Sequence, residues 1–422
     1  MDETAYFYQN IWATPVDLKS GKINVKNENF FTGLDNYVMD WELLRHGKVV
    51  QSGRIDELNV PAGETRQFTL PYSLKGFCPK CETFVNIYFR TKNADGLVDA
   101  GHTAARAQLA INVPATKPVK IANVATNNLA IVKPVIDTRN RNRLIVSGTT
   151  FKIEFDRGNG FMSDYKVNGL EMIEDGKQLT PNFWRAGTDN DYGANMPAKL
   201  AVWRNPTMKL ESLDHTMTDG MAVITAKYDM PQVKASLTMT YTINNVGQVL
   251  LTQTMTPKAA EGPEMMRFGI QLPMPKSMDI STYYGRGPIE NYIDRKTSAF
   301  VGLYRQTAAE QAYSYIRPQE TGTKSDMRFW KQTDLGGRGL KFTSSDPFYA
   351  SATNYSIESL DDGDHKDQRH FQQVDPVDYT NLLIDSEHSG LGGIDSWGAR
   401  PLPEHRIQYG EKTITLLLSP VK

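Results

Sequence analysis

Apolar and polar residues alternate along most of this chain, and a period of two predicts strands. Tyr37, Met39, Trp41 and Leu43 alternate with mostly polar neighbours, and Arg45-His-Gly-Lys48 supplies a turn before Val49-Val50, so this stretch reads as a hairpin. With Pro61-Ala-Gly63, Pro71 and Asn93-Ala-Asp-Gly96 as further turns, about seven short strands fit between residues 5 and 113. That count and spacing predict an immunoglobulin-like β-sandwich over 1–115. Val113-Pro-Ala-Thr-Lys-Pro118 then reads as a linker, because two prolines oppose ladder hydrogen bonding and little apolar surface is available to bury.

Residues 116–422 are again β-rich. Phe151-Lys-Ile-Glu-Phe155 and Met221 to Tyr228 alternate, and the runs 237–243 and 248–255 flank Asn244-Asn-Val-Gly247 as a second hairpin. Helix signals are few: Ala198 to Trp203, and Thr307 to Tyr313, where Thr307 is an N-cap with Glu310 three residues on. Without a second linker or an internal repeat, the pattern predicts an all-β chain whose second domain is one large antiparallel sandwich.

Composition narrows the partners. A formal net charge of −1 gives no electrostatic case for nucleic acid or an anionic membrane. No apolar run reaches the roughly 18 residues a span needs, and Met1-Asp-Glu-Thr carries no leader pattern, so a soluble chain of open compartment, cytoplasmic or periplasmic, is expected. The two cysteines form Cys78-Pro-Lys-Cys81. A C-x-x-C pair reads as a redox dithiol or as half of a zinc site, but zinc needs four ligands and Val85, Ile87 and Phe89 alternate downstream as in a strand. A plain loop of open redox state is the expectation.

Three stretches carry chemistry: Pro181-Asn-Phe-Trp-Arg-Ala-Gly-Thr-Asp-Asn-Asp-Tyr-Gly193, Tyr284-Gly-Arg-Gly-Pro-Ile-Glu-Asn-Tyr-Ile-Asp-Arg295 and Gly390-Leu-Gly-Gly-Ile-Asp-Ser-Trp397. In order and spacing they resemble the C-terminal part of glycoside hydrolase family two β-galactosidases. Asn24-Val-Lys-Asn-Glu-Asn-Phe-Phe31 and Asp99-Ala-Gly-His102 extend the resemblance, more loosely, into the first region. It implies an immunoglobulin-like fourth domain and a β-supersandwich fifth domain similar to galactose mutarotases. It also implies that the catalytic glutamates, and the magnesium and sodium ions, belong to a (β/α) barrel outside this chain. The expected partners are that barrel and a galactoside, with no catalytic residue and no cofactor here.

Each candidate residue has a structural alternative. Trp397 follows a glycine-rich turn and could project an indole face for sugar C–H groups, or simply cover a sandwich edge; the resemblance favours a sugar-binding wall, with Asp395 beside it. Ile394 stands where an acidic residue is common in that motif. Arg185 could clamp a carboxylate by two parallel hydrogen bonds, making Arg185, Asp189, Asn190 and Asp191 a structural turn. The resemblance implies that the loop starting at Gly193 lies by the active site, while Gly187 replaces a usual proline.

Glu290, Asp294 and Glu320 invite comparison with a retaining glycosidase, whose two carboxyls stand about 5 Å apart. Each has an arginine nearby in sequence, Arg286, Arg295 or Arg317, so a salt-bridged network is the stronger expectation. Among His365, His370, His388 and His405, none sits in a recognisable mutarotase motif. Gly336-Gly-Arg-Gly339 lacks a P-loop context, and Asp361-Asp-Gly-Asp-His365 reads as a solvated turn.

Overall fold

In the computed structural model, residues 1–76, 78–125, 132–395 and 398–421 are described. They form two compact units: Met1–Thr116 together with Thr297–Leu303, and Lys117–Lys296 together with Tyr304–Lys422.

The first unit contains strands β1 (Ile11–Asp17), β2 (Lys22–Asn27), β3 (Tyr37–Arg45), β4 (Lys48–Ile55), β5 (Thr65–Thr69), β6 (Thr83–Thr91) and β7 (Thr103–Asn112). They make two antiparallel sheets, ordered β1-β2-β5 and β4-β3-β6-β7. The β3–β4 hairpin turns at His46 and Gly47, whose positive φ values of 46° and 76° match the right-handed twist of the flanking strands. Period-two alternation sends Met39, Trp41, Leu43, Val85, Ile87 and Phe89 inward against Ile23 and Val25 of the other sheet.

The second unit is also antiparallel. One of its sheets contains the hairpin that pairs Ala235–Ile243 with Val249–Pro257 in the register Ile243↔Val249. Another is a five-stranded sheet ordered Thr180–Asn182, Arg267–Pro275, Tyr379–His388, Phe348–Thr353 and Lys324–Met327. Inward residues of both sheets share one large core that includes Trp203, Tyr241, Phe268, Tyr283 and Trp330.

The helix expectations are shortened. Ala198 to Trp203 becomes a turn of α-helix at Met196–Lys199 and a 3-10 turn at Ala201–Trp203. Thr307 does cap a helix, with Glu310 completing the capping box, but Ala308–Gln311 ends before Tyr313. Ala312 turns extended, and the Tyr313 N–H goes to Thr321 Oγ1 at 2.8 Å instead of back into a helix. Among the described residues no helix is long and apolar enough to cross a membrane.

Candidate functional site

Arg185 is 1% exposed and organises the site. Its Nε and Nη2 donate to the two Asp191 carboxylate oxygens at 3.2 and 2.7 Å, the planar fork-to-fork geometry that only arginine supplies. Asp191 is itself placed by a capping box with Thr188, accepting from the Thr188 N–H at 3.0 Å. The remaining guanidinium hydrogens reach the carbonyls of Ser389 and Gly390, the latter at 2.9 Å. Asn190 Nδ2 adds a bond to the Leu391 carbonyl at 3.1 Å. The first and third motifs are thereby fastened together.

Gly193 touches the same loop from the other side. Gly398 has φ +97°, and a Cβ there would lie 2.5 Å from the Gly193 carbonyl oxygen, so glycine is required both by conformation and by close approach. The second motif joins through Asp294, whose Oδ2 accepts the Gly392 N–H at 2.8 Å. All three motifs, scattered over more than 200 residues, thus meet around residues 389–392 and Gly398. Asp395 is exposed and accepts from the Ala399 N–H at 3.3 Å. Asp189 is also exposed, with Lys366 Nζ at 2.5 Å and Arg317 at 3.6 Å. Trp397 lies outside the described residues.

Glu290 pairs with Arg295, as sequence proximity suggests, whereas Glu320 and Asp294 do not take the arginine nearest in sequence. Glu290 accepts from Arg295, Tyr315, Thr321 Oγ1 at 3.1 Å and the Gly322 N–H at 2.8 Å. Glu320 faces Arg267 at 3.5 Å, not Arg317, and accepts from Thr323 Oγ1 at 2.7 Å. Arg286 turns to Asp326 at 2.6 Å, and Asp294 takes a backbone N–H where an arginine was expected. Glu290, Asp294, Arg317 and Glu320 all lie in connections between strands, where the path of the loop and not the distance in sequence decides which arginine is within reach.

Arg317 belongs to another hub. Asp362 is completely buried between Arg317 and Arg369, the latter at 2.6 Å, and Asp361 accepts from Trp184 Nε1 at 2.8 Å and Arg204 Nε at 2.9 Å. The solvated turn expected for Asp361 to His365 is therefore an ion-paired one at its start, because cations from distant segments converge there. Sequence reasoning missed this hub, and equally the pair of Arg267 and Asp385 at 2.8 Å, both with no exposure. The pair's only sequence trace is Gly269: a Cβ there would stand 2.2 Å from Asp385 Oδ1. Burial pushes the Asp385 carboxyl up, opposed by Arg267.

A mutarotase-like chemistry would need a histidine and a carboxylate open to a pyranose. His388 has its Nε2 3.8 Å from Glu320 Oε1, but the ring is fully buried. Burial, with Arg267 and Arg185 close by, holds its pKa well below the usual imidazole range. Its Nδ1 faces the Ser389 carbonyl at 2.9 Å and Arg185 Nη1 at 3.5 Å, so the ring is engaged by protein groups. The cluster is a sealed brace. Among the described residues no group of three or more His, Cys, Asp or Glu could hold a metal ion.

The chain is 31% identical to a β-galactosidase of Priestia megaterium over 98% of its own length, and 30% identical to one of Lactobacillus delbrueckii subsp. bulgaricus over 96%. It spans 39% and 38% of the length of those relatives, matching their C-terminal part. Among solved structures, a putative aldose 1-epimerase from Escherichia coli K12 aligns at TM-score 0.38 and 10% identity, covering 66% of this chain and 98% of that one. Residues 23–112 match the family described as β-galactosidase, domain 4. Residues 147–418 match β-galactosidase small chain and include all three motifs joined by Arg185, Asp294 and Gly398, so the chain belongs to the β-galactosidase small chain family.

Proposed function

We propose that this chain is the non-catalytic C-terminal part of a β-galactosidase, which buttresses a catalytic barrel and completes its sugar pocket. The observation that carries the reading is the convergence of the three motifs. Arg185, Asn190 and Asp294 hold the backbone of residues 389–392 by hydrogen bonds, and Gly398 approaches Gly193 closely. A scaffold that rigidly presents loops is what a binding wall requires.

The hydrolytic chemistry is assigned to the part of the relatives that lies beyond this chain. Glu290 and Glu320 have their lone pairs taken by protein donors, so neither is free to meet a glycosidic oxygen. In the first unit Phe30, Phe31, Tyr8 and Leu97 are each more than four-fifths exposed. They come from neighbouring loops, joined by the bonds from Glu28 N to Asn10 O and from Asn93 N to Asn36 Oδ1 at 3.1 Å. Such an apolar end suits docking to the rest of a β-galactosidase, which is 61% or more of the length of the relatives.

The test is hydrolysis of a chromogenic β-galactoside by this chain alone and after mixing with the barrel-containing remainder of its parent. No turnover alone and turnover on mixing are expected. Within the assembled enzyme, Trp397→Ala should weaken substrate binding by about 1–3 kcal/mol, the loss of one aromatic platform. Turnover by the chain alone that disappears in Glu290→Gln or Glu320→Gln would overturn the proposal.

A further inference from the structure

The Cys78-Pro-Lys-Cys81 turn is not used by the site above, and its geometry is specific. The Cys81 N–H donates to the Cys78 carbonyl at 2.9 Å, closing a four-residue turn. In such a turn the end Cα atoms lie within about 7 Å, which overlaps the roughly 4.4–6.8 Å spanned by disulfides. Both thiols are free and part-exposed, while Pro79 and Lys80 between them are exposed. The turn is held from outside: Asn112 Nδ2 donates to the carbonyls of Pro79 at 3.0 Å and Cys81 at 2.8 Å, and Thr83 Oγ1 to that of Cys81 at 3.2 Å.

Within this frame the donors that act on the Cys78 pKa are, first, the Cys81 thiol and then the backbone N–H groups of Lys80 and Cys81. Those donors stabilise a thiolate. They lower the Cys78 pKa, the Cys81 thiol contributing most, and the same contact raises that of Cys81. The two sulfurs are therefore inequivalent: Cys78 is set up to attack and Cys81 to follow.

We propose that Cys78 and Cys81 form a redox modification site, a dithiol that reacts with low-molecular-weight disulfides and closes into an intramolecular disulfide. The Cys78 thiolate attacks one sulfur of the small disulfide, forming a mixed disulfide and releasing one small thiol. Cys81, losing its proton, attacks the Cys78 sulfur and releases the second. The protein dithiol gives up two electrons and two protons, and the small disulfide is reduced to two thiols. Zinc capture by the same turn is disfavoured because these are the only cysteines in the chain and a structural zinc takes four ligands.

The experiment incubates the folded chain with oxidised glutathione, quenches with acid, and reads intact mass, free thiols and a peptide map. Both thiols should disappear with the loss of two hydrogens and no lasting adduct. Cys81→Ser should accumulate a single glutathione adduct on Cys78, and Cys78→Ser should react at least about 3-fold more slowly. In the unmodified chain, iodoacetamide should alkylate Cys78 ahead of Cys81, a reading that needs no variant. Stable adducts on both cysteines, equal alkylation of the two, or closure no faster in the folded than in the urea-unfolded chain would each overturn the proposal.

Discussion

Lys324 shows how much one side chain can be asked to tolerate. It is fully buried, donating to the Gly322 carbonyl at 2.7 Å and to Gln311 Oε1 at 3.3 Å, with the Tyr283 ring 6.0 Å away. Burial depresses its pKa from 10.5 to about 7, slightly offset by Glu290. Between those two values the unfolded chain holds the proton and the folded chain does not, so stability rises with pH across that window. Below about 7 both states are protonated and the cost of the buried charge is fully present. Lys324→Met removes the charge at similar length. Urea unfolding at several pH values should show the variant gaining on the parent at pH 6, with that advantage shrinking by about 1.4 kcal/mol per unit from pH 7 to 10. A difference independent of pH would mean that Lys324 is not deprotonated on folding.

At the scale of an element, the hairpin 235–257 depends on its turn as much as on its strands. Asn244 is completely buried, and its Oδ1 accepts from Val246 N at 3.1 Å and Gln248 N at 2.9 Å. Its Nδ2 donates to the Ala122 carbonyl and to Gln248 Oε1, both at 2.7 Å. One side chain thus closes the turn and ties it to a segment more than a hundred residues earlier. Asn244→Ala should destabilise the chain by about 1–3 kcal/mol, because buried backbone groups lose their partners. Chemical denaturation measures this directly. Asn244→Asp should not restore the loss: its carboxylate can still accept the two N–H bonds, but it buries a charge against the Ala122 carbonyl.

At the scale of the molecule, the two units are not consecutive in sequence. Thr297–Leu303 groups with residues 1–116 although both of its flanks belong to the second unit. Within the first unit Glu3 accepts the N–H groups of Thr297 and Ser298, each at 2.9 Å. Gln108 brackets Val301, accepting its N–H at 2.8 Å and donating to its carbonyl at 2.9 Å. Val301 is 2% exposed, so Gln108→Ala would leave a buried donor and acceptor unpaired. A loss of about 1–3 kcal/mol in thermal or urea unfolding is expected, whereas Gln108→Glu keeps an acceptor for the Val301 N–H and loses the donors to the Val301 carbonyl and to Asn86 Oδ1.

What the sequence by itself determined is what depends on local chemistry: alternation, turn residues and caps. The β3–β4 hairpin, the hairpin about Asn244-Asn-Val-Gly247, the seven strands of the first unit and the cap at Thr307 were legible because each is fixed within about ten residues by backbone sterics and period. The three motifs were legible as chemistry too, and Arg185 with Asp191 lies six residues apart. Tertiary structure alone decided which distant partners meet. Glu320 finds Arg267, Asp362 collects Arg317 and Arg369, and Asp294 holds Gly392, because the fold brings together loops that lie far apart in sequence. The same holds for Thr297–Leu303: strand alternation says that a segment will be buried, but only long-range pairing says in which unit.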